Sequence, residues 1–193
     1  MNLPNKITMA RVFLIPIFLF VYLAKPLGEV PNLWLAIFIF TVAAVTDAVD
    51  GHLARKYKLV TNFGKLMDPL ADKLLVCSAL VAYVATGSLS GQLAVWAVII
   101  MISREFYVSG LRMLALEQNK VLAASRGGKT KTGLQIALVI VVLLPVQMLG
   151  FDWLFTLHEW VVWVLLGLAT LVSVWSVVDY TLRNKDIFGS NKF

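Results

Sequence analysis

The chain has 193 residues, of which 60% are apolar and 15% are charged, and its formal net charge is +6. A soluble domain of this length could not bury so much apolar surface, because the apolar residues fall in long runs rather than in alternating patterns. Lys and Arg lie in short segments between these runs, which is typical of a membrane protein and argues against a nucleic-acid-binding surface. Cys77 is the only cysteine, so an intrachain disulfide and a thiolate metal cluster are excluded.

Six apolar stretches are each long enough to cross a hydrocarbon core of about 30 Å as a helix. A short amphipathic segment, residues 3–6, precedes the first of them. We therefore predict an all-α integral membrane protein that forms one membrane-embedded domain over residues 1–193. In chain order, the predicted spans are residues 8–27, 32–53, 66–86, 92–116, 132–149 and 153–182.

The distribution of Lys and Arg predicts how these spans are oriented. Basic residues crowd the N-terminus, the second-to-third connection, the fourth-to-fifth connection and the C-terminal tail, whereas the opposite side has only Lys25. Because cytoplasmic loops carry the excess of positive charge, both termini are expected in the cytoplasm. The chain is thus expected in the cell (cytoplasmic) membrane. His158, on the opposite side, is expected to be a solvated loop residue.

Four aspartates flank the second-to-third connection. Asp47 and Asp50 are three residues apart at the inner end of the second span, and Asp68 and Asp72 are four apart at the start of the third. Each spacing places the pair on one helical face. Since the two spans are antiparallel neighbours, the four carboxylates can meet in one pocket at the cytoplasmic boundary.

Four carboxylates at this boundary favour bound cations, because unpaired charges there are costly. Carboxylate oxygens without cysteine or clustered histidine are typical of sites for Mg²⁺, Mn²⁺ or Ca²⁺. A pair of such metals could hold a diphosphate and stabilise a displacement at phosphorus. The alternative is that the aspartates only cap helices and pair with Arg55, Lys65 and Lys73.

Eight residues form a spaced pattern across the second and third spans. The first five are Asp47, Asp50, Gly51, Ala54 and Arg55. After eight intervening residues come Gly64, Asp68 and Asp72, each four residues after the one before. This pattern resembles the signature of the CDP-alcohol phosphotransferase family, whose members are built on six membrane helices. The resemblance implies a metal-dependent transferase that acts as a homodimer, with two bound divalent metals, Mg²⁺ or Mn²⁺, and a CDP-linked lipid donor.

The resemblance also implies roles for individual residues. Asp47, Asp50 and Asp68 would be metal ligands, and Asp72 would approach the second metal and act as the base for the attacking hydroxyl. The positions implied for the CDP donor are Asp50, Gly51, Ala54, Arg55 and Gly64, with Arg55 at the diphosphate. Asn5 and Thr8 could line the nucleotide side of the same site. Alternatively, the small residues only let helices approach closely, and Asn5 and Thr8, with Arg11, only anchor the first helix.

Three further segments, residues 3–11, 103–106 and 128–132, are similar to the branch of this family that makes phosphatidylglycerophosphate. The acceptor would then be sn-glycerol 3-phosphate. Its hydroxyl would attack the β-phosphorus of CDP-diacylglycerol and release CMP, in a step of phospholipid biosynthesis.

An anionic acceptor also agrees with the position of Arg104, which lies well inside an apolar run where an unpaired cation is costly. Glu105 projects about 100° away from it on a helix and is not expected to be its partner. We predict a binding site for the acceptor phosphate formed by Arg104, Arg112, Lys129 and Lys131. As alternatives, Arg104 reaches water or the aspartates, and the other three only set topology and contact lipid headgroups.

Other functions remain open at this point. The same chemistry could use inositol phosphate, serine or a second lipid as acceptor, although a cationic phosphate site argues against serine. Facing carboxylates in a membrane also occur in divalent-cation transporters, but here the acids lie at one membrane face only. A structural scaffold would leave the buried charge unexplained. Metal-dependent CMP release would distinguish the enzyme from both.

Overall fold

The computed structural model describes the backbone of residues 3–57, 62–117 and 126–185, and the side chains of residues 9–46, 71, 73–115, 130–146 and 148–185. Within these ranges every regular element is helical. A short 3-10 helix, Val146–Leu149, lies between the last two of the six α-helices. The α-helices are α1 (Leu3–Ala24), α2 (Glu29–Tyr57), α3 (Asn62–Ala85), α4 (Gln92–Glu117), α5 (Arg126–Leu143) and α6 (Asp152–Arg183).

Each predicted apolar stretch falls largely within one of these helices, so the all-α prediction is confirmed for the described residues. Three helices extend beyond their predicted spans into basic connections: α2 to Tyr57, α3 from Asn62 and α5 from Arg126. The predicted amphipathic lead, residues 3–6, is the first turn of α1 rather than a separate segment.

The prediction that the fifth span continues to residue 149 is wrong, because α5 ends at Leu143. Pro145 accounts for the end of the helix: proline lacks a backbone N–H, and it disfavours the helical conformation of the residue before it. The chain then forms the 3-10 helix, which ends at Gly150 with φ 71° in the left-handed region. The hydropathy of this segment continues past the proline, but its helical hydrogen bonding does not.

Within the part of the chain that the structure describes, three helices are long and apolar enough to cross a membrane: Glu29–Thr46 within α2, Gln92–Ala115 within α4, and all of α6. Shorter apolar helical stretches occur in the described parts of α1, α3 and α5. Large apolar side chains are also exposed on the helices, including Phe13, Trp96 and Trp160, each more than 60% exposed. A surface of this kind is unstable in water and suits lipid, so the chain is membrane-associated.

The described helices form two compact units, Met1–Ser88 with Val139–His158 and Leu89–Leu138 with Glu159–Phe193. In the first unit, an aromatic core joins α1, α2 and α3. Phe18 of α1 packs against Phe40 of α2, with ring centroids 5.8 Å apart, and Tyr22 meets Tyr83 of α3 edge to face at 5.2 Å. Both geometries are favourable for aromatic pairs and bury large rings between helices.

Hydrogen bonds in this unit give the direction of its helices. The Tyr22 hydroxyl lies 2.9 Å from Thr86 Oγ1 and 2.7 Å from Ser88 Oγ, so the C-terminal ends of α1 and α3 are together and the two helices run parallel. The Nε2 of His158 lies 2.8 Å from the Val141 carbonyl oxygen. His158 is therefore part of α6 and bonded to the end of α5, and the prediction of a solvated loop residue is wrong.

Tyr83 supplies a buried link between α3 and the end of α5, because its hydroxyl donates to the Val139 carbonyl at 2.9 Å. We expect Tyr83→Phe to lower the free energy of unfolding by about 1 kcal/mol, the net value of one buried hydrogen bond. In detergent this corresponds to a fall in Tm of about 2–4 °C for a chain of this size. Tyr107→Phe is the matched control, since its hydroxyl bonds to Thr181 on the exposed side of α4. An equal fall in both variants would contradict the assignment.

In the second unit, α4 from Arg104 onward contacts the C-terminal end of α6. Tyr180 of α6 is buried with Val108 and Leu111 of α4. Polar contacts join Arg104 to Ser176 and, further along both helices, Arg112 to Tyr180. Because the residue numbers rise together in both helices, α4 and α6 run parallel.

Candidate functional site

The four predicted metal ligands lie on two helices of the first unit, as predicted from their spacing. Asp47 and Asp50 belong to α2, and Asp68 and Asp72 belong to α3. Since both segments are continuous helix, separations of three and four residues keep each pair on one face. The side chains of these aspartates lie outside the described residues, and no group of three or more His, Cys, Asp or Glu able to hold a metal occurs among those that are described.

The positions predicted for the CDP donor are also helical. Gly51, Ala54 and Arg55 follow Asp50 within α2, and Gly64 lies in the first turn of α3. Asn5 and Thr8 lie in the first two turns of α1. The side chains of these residues, and that of Lys129 in α5, are outside the described ranges, so their predicted roles stay predictions. Arg11, in contrast, is described: it belongs to α1, and its side chain is almost completely buried.

The second unit contains three ionised side chains buried together. Arg104 and Glu105 of α4 are 7% and 6% exposed, and Lys131 of α5 is 5% exposed. The Glu105 Oε1 atom lies 3.2 Å from Arg104 Nη1 and also forms an ion pair with Lys131 Nζ. One carboxylate oxygen therefore holds two cations from two helices. We call Arg104, Glu105 and Lys131 the buried ion cluster.

The expectation that Glu105 would not partner Arg104 is wrong. A separation of about 100° on the helix fixes only the directions in which the two Cβ atoms point. Both side chains are long enough to turn toward each other, and burial in an apolar unit makes an unpaired charge costly enough to favour that arrangement. Two opposite charges adjacent within an apolar run are a sequence signal that could have indicated this pair.

The Arg104 guanidinium also contacts α6, where its Nη2 atom donates to Ser176 Oγ at 2.7 Å. Its Nε atom is buried and has no hydrogen-bond partner among the described residues. One turn before Ser176, the Oγ atom of Ser173 is buried and is likewise unpartnered within the described ranges. Buried polar atoms are usually hydrogen-bonded, so this part of the unit retains unused donors that suit a polar ligand.

Arg112 is two turns beyond Arg104 on α4 and is more exposed. Its Nε atom lies 3.3 Å from the Tyr180 hydroxyl, and its guanidinium carbon lies 5.9 Å from the centroid of the Tyr180 ring. Tyr180 thus holds the Arg112 side chain through a hydrogen bond and a cation–π contact. Ser176 and Tyr180, which the sequence analysis did not single out, are one turn apart on α6 and contact the two arginines in turn.

The second unit thus brings together three of the four residues predicted to bind the acceptor phosphate. Arg104 and Lys131 share one carboxylate, and Arg112 follows along the same α4–α6 contact. Three cations against the one carboxylate of Glu105 leave two positive charges in this set. Guanidinium and ammonium groups with a net positive charge are the usual components of phosphate sites.

Comparison with known proteins gives a family match over most of the chain. The family model for CDP-alcohol phosphatidyltransferase matches residues 1–175. The chain is 44% identical over 195 residues to the CDP-diacylglycerol–glycerol-3-phosphate 3-phosphatidyltransferase of Bacillus subtilis, covering 95% of each chain. Proteins of the same name from Haemophilus influenzae and Rickettsia felis are each 36% identical, covering 93% and 84% of this chain and 91% and 86% of theirs.

Proposed function

This chain belongs to the CDP-alcohol phosphatidyltransferase family, and on that basis we propose that it transfers the phosphatidyl group of CDP-diacylglycerol to sn-glycerol 3-phosphate. The products are phosphatidylglycerophosphate and CMP. The proposal is carried by the similarity, over nearly the full length of both chains, to relatives named for this reaction. The positive charges of Arg104, Arg112 and Lys131 in the second unit support an acceptor that carries a phosphate.

The reaction exchanges a phosphoanhydride bond for a phosphate ester bond. The glycerol hydroxyl oxygen forms a bond to the β-phosphorus of CDP-diacylglycerol, and the bond from that phosphorus to the oxygen shared with the α-phosphorus breaks. CMP leaves with that oxygen. Asp72 accepts the hydroxyl proton on a carboxylate oxygen, which makes the acceptor oxygen a better nucleophile.

Asp47, Asp50, Asp68 and Asp72 would hold two Mg²⁺ or Mn²⁺ ions. The donor set fits such ions, because it consists of carboxylate oxygens from one face of each of two helices. Bound there, divalent ions would supply positive charge that offsets the negative charge of the diphosphate. Asp72 then has two roles, and its proton affinity belongs to the whole cluster of carboxylates.

The donor would be held by residues of α1, α2 and α3. Gly51, Ala54 and Gly64 leave room for the cytidine beside the helix backbone, since none of them has a side chain larger than a methyl group. Arg55 binds the diphosphate, for which the planar guanidinium offers two parallel hydrogen bonds. Asn5 and Thr8 complete the nucleotide side from the first two turns of α1.

The acceptor phosphate would be held by Arg104, Arg112, Lys129 and Lys131. Glycerol 3-phosphate carries nearly two negative charges at neutral pH, because its second pKa is about 6. The two net positive charges of the described set, Arg104, Glu105, Lys131 and Arg112, are complementary to it. The unpartnered Nε atom of Arg104 offers a further donor.

The protein would act as a six-span homodimer in the cytoplasmic membrane, with its termini and active site at the cytoplasmic face. The parallel course of α4 and α6 supports the six-span arrangement, because spans separated by one further crossing must run in the same direction. The excess of Lys and Arg in the second-to-third and fourth-to-fifth connections supports the orientation.

We expect purified protein in detergent, supplied with CDP-diacylglycerol and Mg²⁺ or Mn²⁺, to release CMP only when glycerol 3-phosphate is added. The parallel acceptors are inositol 1-phosphate, serine and none, and one sample contains EDTA in excess over metal. CMP release with inositol 1-phosphate but not with glycerol 3-phosphate would identify inositol phosphate as the acceptor instead. Folded protein that releases no CMP with any acceptor, yet carries Mn²⁺ across vesicle membranes, would contradict the enzyme and indicate a transporter.

A further inference from the structure

Glu105 is the only carboxylate of the buried ion cluster, and it contacts both of its cations. The cations come from different helices, Arg104 from α4 and Lys131 from α5. We propose that Glu105 is a positioning residue that holds these two cations together for the acceptor phosphate. The inference rests on the proposed function, and it assigns to Glu105 a role that the motif residues do not cover.

The two cations need this carboxylate for different reasons. Arg104 is fixed from a second side by Ser176, 2.7 Å from its Nη2 atom, and its guanidinium is planar and rigid. Lys131 carries its charge on a flexible four-carbon stem, so its ammonium can shift further than a rigid guanidinium when one of its contacts is lost. Removal of the Glu105 charge is therefore expected to displace the ammonium of Lys131 more than the guanidinium of Arg104.

The carboxylate also makes the burial of the two cations tolerable before substrate arrives. Two like charges side by side in an apolar unit repel each other, and each loses its hydration. Glu105 offsets one of these charges and leaves a net positive charge, so the site remains attractive to an anion. A neutral glutamine accepts hydrogen bonds at the same place but offsets no charge.

We expect Glu105→Gln to raise the KM for glycerol 3-phosphate about tenfold, in line with the loss of one buried charge contact. Because we assign Glu105 to the cations of the acceptor phosphate only, kcat and the KM for CDP-diacylglycerol should stay within about twofold. Glu159→Gln is the matched control, since this carboxylate is exposed near the start of α6 and belongs to no binding set. The control should leave all three constants unchanged.

A double-variant cycle distinguishes positioning from a general structural role. If Glu105 acts by holding Lys131, then Glu105→Gln should add less than about twofold to the acceptor KM of Lys131→Met. The double variant also removes one cation with one carboxylate, which favours its recovery as folded protein. If Glu105→Gln alone is not recovered, the double variant is the test, and its acceptor KM must match that of Lys131→Met.

Three results would overturn the inference. The first is an unchanged acceptor KM in Glu105→Gln, and the second is a fall in kcat together with equal rises in both KM values. The third is a double variant whose rise in acceptor KM equals the product of the rises in the two single variants. Each of these is observed against wild-type protein that uses glycerol 3-phosphate. Wild-type protein that does not use glycerol 3-phosphate would instead contradict the proposed function. The two failures are therefore distinguishable.

Discussion

Asp72→Asn is expected to lower the rate of CMP release at saturating substrates about a thousandfold. The carboxamide has nearly the same size and shape as the carboxylate, but it cannot accept the proton of the attacking hydroxyl. General-base catalysis contributes roughly 10²–10⁴-fold to such reactions, and the loss of a metal ligand adds to that effect. The rate is measured as initial CMP release from CDP-diacylglycerol with glycerol 3-phosphate in excess.

The matched control for this variant is Asp152→Asn. Asp152 is the first residue of α6, and its side chain is exposed. The variant makes the same carboxylate-to-amide change at a position outside the motif. Its rate should equal that of the wild type. An Asp72→Asn protein that elutes as folded protein and keeps more than about a hundredth of the wild-type rate would rule out Asp72 as the base, since 10²-fold is the lower end of the expected loss.

Arg104→Gln is expected to raise the KM for glycerol 3-phosphate by about 30-fold or more. The change removes a buried guanidinium, and losing one partner of a buried charged pair costs about 2–5 kcal/mol, of which 2 kcal/mol corresponds to roughly 30-fold. Glu105 keeps its ion pair with Lys131, so the variant leaves no isolated buried carboxylate. The KM for CDP-diacylglycerol should change by less than about twofold, because Arg104 is assigned to the acceptor only.

Arg183→Gln tests whether any arginine of the second unit has this effect. The Arg183 side chain is 72% exposed and pairs with Asp179 at 2.6 Å, one turn earlier on α6. Exposed pairs of this kind contribute about 0.3–0.5 kcal/mol, and neither residue belongs to the proposed site. Both KM values should therefore match the wild type. Equal acceptor KM values in Arg104→Gln and Arg183→Gln would refute the assignment of Arg104.

The sequence was sufficient to predict the helical class and the positions of the motif within it. In lipid, the backbone N–H and C=O groups of a long apolar run have no water to bond, and a helix satisfies them within the run itself. Six apolar runs therefore predicted six helices. The spacings from Asp47 to Asp50 and from Asp68 to Asp72 are local properties of a helix, so they carried over directly. The end of α5 was missed because hydropathy outweighed Pro145 in the prediction.

The contacts of the second unit could not be predicted in the same way. The ion pair between Glu105 and Lys131 depends on the register of α5 against α4, which no local pattern encodes. The contact of Arg104 with Ser176 depends similarly on the register of α4 against α6. The free-energy cost of an unpaired cation in an apolar run indicated that Arg104 needs a polar or charged partner. Only the packed helices identify Glu105 and Ser176 as its partners.

The most direct test of the proposed reaction follows labelled glycerol 3-phosphate into lipid. Purified protein is incubated with CDP-diacylglycerol, Mg²⁺ and [¹⁴C]glycerol 3-phosphate, and the labelled chloroform-soluble product and CMP are measured together. We expect one labelled phosphatidylglycerophosphate for each CMP released, and no labelled lipid without CDP-diacylglycerol. CMP released without label in the lipid phase would show hydrolysis of the donor, and would contradict transfer to glycerol 3-phosphate.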